Sequence, residues 1–301
     1  MKEIIKLIKQ KKIGDFLIDE SLKNQTTYKV GGKASVIVFP KNVEKLIELL
    51  KLIKNNNLKY KVLGKGSNVI FSDRDYRGVI IKLDKFNNIE INNNYVTAGA
   101  GLPLIPLAYK VSKMGLSGLE FATGIPGTLG GAIYMNAGAY KSDMGYITES
   151  VKVLTPEYEV KEIFNKDLNF HYRDSFFQHN SGYICLEVRM VLKKGDSKEI
   201  LNVIEDRKQR RLMSQPLEYP SAGSVFRNPE NDFAGRLIEE SGFKGYRKGG
   251  AEVSEKHANF IVNRDHATAE DVYELITEIK DKVKKNYQID LKVEQEFVNW
   301  E

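Results

Sequence analysis

Glycines are the residues whose type and spacing point most directly to chemistry. Gly124-Ile125-Pro126-Gly127-Thr128-Leu129-Gly130-Gly131 packs four glycines and a proline into eight residues, a density that costs chain entropy unless the backbone must pass close to something. The run reads as a ligand site. Ala132-Ile-Tyr-Met-Asn-Ala-Gly-Ala139 extends it with small side chains that leave room for a flat ring system against the backbone. A second loop, Gly64-Lys65-Gly66-Ser67-Asn68, follows a strand-like run. Its glycines would let backbone N–H groups approach a pyrophosphate, with Ser67 and Asn68 adding polar contacts. Taken alone it reads equally well as a tight turn. Val69 stands where the dinucleotide fingerprint needs Gly or Ala, and no phosphate loop ending in Gly-Lys-Ser/Thr occurs. Gly99-Ala-Gly101 is either a third close approach or a strand end.

Other candidates are ambiguous in isolation. Arg173 could hold an anion or simply pair with Asp174. Ser224 follows Gly223 in what looks like a turn, with no activating neighbour visible in the sequence. Arg207, Lys208, Arg210 and Arg211 form either an anion-binding group or the solvated face of a helix. His171, His179, His257 and His266 have no Cys or carboxylate partner at metal-ligand spacing, so no metal is expected. The lone Cys185, in a strand-like run, reads as a buried small side chain.

The elements that must position these groups are partly legible. Val43, Leu46, Ile47, Leu50 and Ile53 recur at helical spacing, and Asn55-Asn56-Asn57 stops that helix before the strand-like Lys61-Val62-Leu63. Val79-Ile80-Ile81 predicts a second buried strand. From Ile89 to Leu192 the texture changes to short strands and turns, with a hairpin candidate at Asn92-Asn93-Asn94 and one helix near Leu104 to Met114. Helices are expected over Glu199–Met213 and Asp232–Ser241, the latter stopped by Gly242. Thr268-Ala-Glu-Asp271 predicts a capping box opening a helix with Val272, Leu275, Ile276, Ile279 and Val283 on its apolar face. A last strand is expected over Ile289 to Val298. The fold class is α+β in three domains: 1–85, to which a closing strand at 294–301 is expected to return, 86–198, and 199–293.

Bulk properties narrow the rest. The 301 residues, 42% of them hydrophobic, suffice for a large buried core. The net charge of +6 is spread along the chain, which suits an anionic substrate and equally a nucleic acid. The first residues alternate as an amphipathic helix rather than a signal peptide, and no stretch approaches the roughly 20 apolar residues of a membrane span. A cytoplasmic protein with no membrane association is expected.

Several runs in order resemble the UDP-N-acetylenolpyruvoylglucosamine reductase family, in its shorter, type II form. They are Thr27-Tyr-Lys-Val-Gly-Gly32, Gly64-Lys-Gly-Ser-Asn68, Gly118-Leu-Glu-Phe121, Gly124 through Gly138, Tyr172-Arg-Asp-Ser-Phe176, Tyr219-Pro-Ser-Ala-Gly-Ser-Val-Phe226 and His257-Ala-Asn-Phe-Ile-Val-Asn263. The resemblance implies FAD, held noncovalently in a fold of the vanillyl-alcohol oxidase (PCMH) type, with a C-terminal α+β substrate domain. It also implies NADPH as hydride donor and UDP-N-acetylglucosamine enolpyruvate as substrate. On the same ground Arg173 stabilises the enolate, Ser224 supplies a proton, and Glu294 is the third catalytic residue. Glu296 remains its rival, because the family reads Glu-Val-Arg where this chain has Glu294-Gln-Glu296. The two glycine loops with Ala132 would hold the cofactor, and Tyr172, Arg211, Gln215 and Asn228 the substrate. A monomer is expected. Two other readings compete: a flavin oxidase of another small substrate in the same fold, and a basic nucleic-acid-binding protein, which leaves the glycine loops unexplained.

Overall fold

The computed structural model describes Met1 to Trp300, so the final residue of the 294–301 segment lies outside the described residues. The chain partitions into two compact units. One comprises 1–18, 36–65 and 78–209; the other comprises 19–35, 66–77 and 210–301. Each has its own apolar core, so each gains stability from burial independently.

In the first unit the helix Val43–Asn55 buries Leu46, Leu49, Leu50 and Ile53, the spacing of a single helical stripe. The Asn42 side chain caps its first turn by accepting from the Lys45 N–H at 3.0 Å. Beyond it, Asn57 turns the chain through a left-handed φ of 49° into the strand Tyr60–Val62. That strand pairs in parallel with Val79–Ile81. A five-stranded antiparallel sheet runs in the order Val160–Phe164, Thr148–Leu154, Ile184–Val191, Tyr95–Gly99, Ile89–Asn92. The expected Asn92-Asn93-Asn94 hairpin joins its last two strands, with Asn93 at a φ of 55°. Cys185 lies buried in the central strand, and burial pushes its thiol pKa up, which keeps it a small apolar side chain.

In the second unit a short antiparallel sheet of Arg247–Lys248, Ala251–Val253 and Ile261–Asn263 packs with the helices Ala234–Glu240 and Ala269–Tyr287. The capping box is present: the Asp271 N–H donates to Thr268 Oγ1 at 3.0 Å and the Thr268 N–H donates to Asp271 Oδ2 at 2.9 Å. All five expected apolar positions from Val272 to Val283 are buried. One expectation needs correction, because only Glu296–Val298 of the Ile289–Val298 run is a strand. Val293 bridges antiparallel to Phe226, whereas Glu296 pairs in parallel with Val69. The segment changes partner and direction of pairing within three residues, so no single ladder can span it.

Thr268→Ala removes one capping oxygen and is expected to lower unfolding stability by about 1 kcal/mol, read as a lower urea midpoint with an unchanged slope. Asp271→Ala should cost more, since its carboxylate also accepts from the Gly250 N–H at 3.2 Å.

Candidate functional site

The two glycine loops touch. A Cβ on Gly64 would stand 2.5 Å from Thr128 Oγ1, closer than any side chain tolerates, so the loops can meet only because one residue has no side chain. Thr128 in turn caps the short helix Leu129–Tyr134, its Oγ1 accepting from the Gly131 N–H at 3.3 Å. Backbone bonds fix the Gly124–Gly131 loop from behind: Leu104 N–H donates to Gly127 O, Leu129 N–H to Leu102 O, and Gly130 N–H to Ala100 O at 2.8 Å. Gly130 sits against Ala100, where a Cβ would come within 3.0 Å of the alanine methyl. Gly131 is different. It is exposed, and a Cβ there would meet only Thr128 Oγ1, at 3.4 Å. Gly124, Ile125 and Gly127 are half-buried and Pro126 is exposed. The loop is therefore held by backbone bonds at Gly127, Leu129 and Gly130, and Gly131 is exposed with its N–H given to Thr128. Lys65 is exposed beside the first loop, and Lys82 is buried near it; burial pushes the Lys82 ammonium pKa down, with Asp84 opposing the shift and Lys65 adding to it. Nothing in the sequence marked Lys82, because it sits at the end of an apolar run.

Gly66, in the second unit, has a left-handed φ of 64°, and a Cβ on it would lie 2.4 Å from Gln25 O. Conformation and space both demand glycine here. Asn68 donates through Nδ2 to the Glu294 carbonyl at 3.1 Å, and Ser67 is half-buried next to it.

Arg173 occupies a tight turn closed by His171 and Asp174, which exchange backbone hydrogen bonds of 3.1 Å. Its φ of 57° is unusual for a side-chain-bearing residue and costs on the order of 1 kcal/mol. Two amides, buried Asn136 and half-buried Gln178, hold the turn in place. Asn136 Nδ2 donates to His171 O at 2.9 Å, and Gln178 Nε2 donates to Arg173 O at 3.1 Å. The guanidinium donates from Nη2 to Gly138 O at 2.9 Å and lies over the half-exposed Tyr172 ring. The Asp174 carboxylate lies 2.8 Å from His179 Nε2 and also accepts from the Ser175 N–H.

In the second unit Ser224 follows Gly223, whose φ of 75° forms the expected turn. The strand leaving the turn is clamped by Asn259: Val225 N–H donates to its carbonyl, Phe226 N–H to its Oδ1, and its Nδ2 donates back to Phe226 O at 2.8 Å. Asn259 lies in one of the runs that carry the resemblance, but its role depends on a partner 33 residues away. His257 supports it by accepting from the Asn259 N–H through Nδ1, and burial pushes its own pKa down, favouring the neutral ring. Glu294 donates its backbone N–H to Val225 O at 2.8 Å, which sets it directly beside the Ser224 turn. Its rival Glu296 lies one step further, paired with Val69.

Arg211 and Gln215 are brought together, Nε to Oε1, at 3.1 Å on successive turns. Asn228 is exposed, and its Oδ1 accepts the Ala234 N–H at 3.1 Å, so the structure gives it a helix-capping task besides any ligand contact.

Comparison with known proteins agrees over nearly the whole chain. Residues 34–163 match the family described as FAD binding domain, and residues 215–298 match that described as UDP-N-acetylenolpyruvoylglucosamine reductase, C-terminal domain. The enzyme of that name from Halalkalibacterium halodurans is 44% identical over 299 residues, covering 99% of both chains, and the one from Bacillus subtilis is 41% identical over the same share. The crystal structure of UDP-N-acetylenolpyruvylglucosamine reductase from Thermus caldophilus superposes with a TM-score of 0.80 at 34% identity, covering 94% of this chain and 98% of that one. The expected α+β architecture, an FAD-binding part followed by a substrate-side C-terminal part, stands on these matches.

The two kinds of glycine can be separated by substitution. Gly66→Ala is expected to destabilise the fold by about 2–4 kcal/mol, from left-handed strain plus overlap with Gln25. Gly131→Ala should leave stability within about 1 kcal/mol of wild type or raise it, since alanine favours the helix. Chemical denaturation of both variants checks the contrast.

Proposed function

The chain belongs to the UDP-N-acetylenolpyruvoylglucosamine reductase family, and on that premise we propose how its own residues carry out the family's reaction. It is an enzyme, an FAD-dependent oxidoreductase that reduces UDP-N-acetylglucosamine enolpyruvate to UDP-N-acetylmuramate with NADPH, a step of peptidoglycan precursor synthesis. The observation that carries the mechanistic reading is a pair of turns, each with left-handed backbone and each pinned by side-chain amides, that present Arg173 and Ser224.

The residues present fit FAD. Gly64 and Lys65, with Gly124 to Gly131 and Ala132, would hold it where a Cβ on Gly64 would crowd Thr128 and one on Gly131 would not; the family resemblance adds Gly66, Ser67 and Asn68. Bound there, FAD supplies the hydride, taken from NADPH, that reaches the vinyl carbon of the substrate.

Adding hydride to that carbon leaves negative charge beside the substrate carboxylate. Arg173 binds the carboxylate and stabilises the charge as it grows, through a guanidinium already oriented by Gly138 O and the Tyr172 ring. Ser224 delivers a proton from Oγ to the adjacent carbon. A serine hydroxyl is a weak acid, so its contribution rests on placement and on the charge it meets. Glu294, beside the Ser224 turn, is favoured over Glu296 as the carboxylate that orients this proton transfer. Arg211, Gln215 and Asn228, with Tyr172, bind the nucleotide end of the substrate. On this reading 1–85 and 86–198 serve the cofactor and 199–293 the substrate, while NADPH and the UDP-sugar use one site in turn. No helix among the described residues is long and apolar enough to cross a membrane. We place the enzyme in the cytoplasm as a monomer, where NADPH and nucleotide sugars are made.

Ser224→Ala is expected to leave flavin reduction by NADPH near the wild-type rate and to slow reoxidation by the enolpyruvyl substrate at least about 100-fold, the lower end of general acid catalysis. Stopped-flow measurement of the two half-reactions checks this. Equal loss in both would contradict the proton-donor role.

A further inference from the structure

We infer that Gln295 is a positioning residue whose amide holds the Gly223–Ser224 turn in the conformation that presents the serine hydroxyl. The inference rests on the proton-donor reading of Ser224. The bridge between Phe226 and Val293 and the bond from Glu294 N–H to Val225 O set the register, so that Gln295 falls opposite Ser224. Its side chain is 3% exposed. Gln295 Nε2 donates to Ala222 O at 3.1 Å, to Gly223 O at 3.2 Å and, at the longest distance of 3.5 Å, to Ser224 O. One donor group thus gathers three successive carbonyls around the turn.

The amide orientation is not interchangeable. All three neighbours are acceptors, so the nitrogen must face them and Oε1 must point away. Oε1 is buried and has no hydrogen-bond partner. Burying an unsatisfied acceptor is unfavourable, and a methionine or leucine of similar size would avoid it. The Gln295 side chain therefore contributes through its N–H groups. Packing does not replace that contribution, because a Cβ on Gly223 would meet nothing within 4 Å. With φ at 75° and open space on that side, the turn depends on hydrogen bonds for its shape. Asn259 fixes the chain after Val225, and Gln295 fixes it before.

The test uses the full-length, flavin-bound protein and two variants, Gln295→Met, which removes the donor, and Gln295→Glu, which keeps the shape but puts an acceptor against three acceptors. Amide hydrogen exchange over residues 222–227 is expected to rise at least about tenfold in each, the loss of roughly one hydrogen bond. Reoxidation by the enolpyruvyl substrate should slow by about tenfold or more, with a larger solvent isotope effect, while flavin reduction by NADPH stays unchanged. A purely structural residue would lower both half-reactions together and leave the isotope effect alone, and that result overturns the inference. Wild-type exchange over 222–227 in both variants also overturns it, whatever the kinetics. Faster exchange with unchanged reoxidation overturns it as well. Ser224→Ala, measured alongside, then locates the fault: slow reoxidation there leaves it with Gln295, and fast reoxidation places it in the proton-donor reading.

Discussion

The site rests on the chain approaching itself more closely than a Cβ permits. A Cβ on Gly64 would lie 2.5 Å from Thr128 Oγ1, and one on Gly101 would lie 1.8 Å from Leu83 O. Such contacts leave the chain little freedom. Once Gly64 is seated against Thr128, the threonine is placed to cap the helix that follows, and the Gly131 amide is placed with it. A glycine-rich loop would ordinarily be mobile, because glycine has the most conformational freedom to lose. Here the Gly127 carbonyl accepts from the Leu104 N–H, and the Leu129 and Gly130 N–H groups donate to Leu102 O and Ala100 O, so the loop is fixed before any ligand meets it.

The two side chains proposed to act on the substrate follow a second rule. Arg173 and Ser224 stand on turns whose left-handed backbone, at Arg173 itself and at Gly223, is tolerable only when neighbours over-determine it. In both cases the neighbours are carboxamides: buried Asn136 and half-buried Gln178 in one unit, buried Asn259 and Gln295 in the other. A carboxamide suits this task because it can donate to backbone carbonyls and accept from backbone N–H at once, without the desolvation cost of a charge. Asn136 does both, donating to His171 O and accepting from Gly145 N–H at 2.9 Å. Neutral amides thus hold both the turn that carries the guanidinium and the turn that carries the hydroxyl.

Much of this was legible in the sequence where the governing physics is local. The helix after Asn42 and the capping box at Thr268 depend on residues within a few positions of one another, and both formed as expected. The density of glycines from Gly124 to Gly131 marked that run as a candidate ligand site for the same reason. Gly64 to Asn68 stayed ambiguous because its meaning comes from Thr128, far along the chain, and from Gln25. The resemblance supplied Arg173, Ser224 and Glu294, which no periodicity could. Asn136 lay within the run from Gly124 to Gly138 with nothing to mark its role, and Gln178 and Gln295 left no signal, since a carboxamide that binds a backbone carbonyl looks like any surface Asn or Gln. The run from Ile289 misled because its rough alternation hides a switch from the antiparallel bridge at Val293 to the parallel pairing at Glu296.

The central claim, that the meeting of the two glycine loops makes a flavin cradle, is tested most directly by flavin content. The purified protein should be yellow, with a flavin absorption spectrum, and denaturation should release close to one FAD per chain into the supernatant. A folded protein that is colourless as isolated and takes up no FAD on reconstitution would contradict the account.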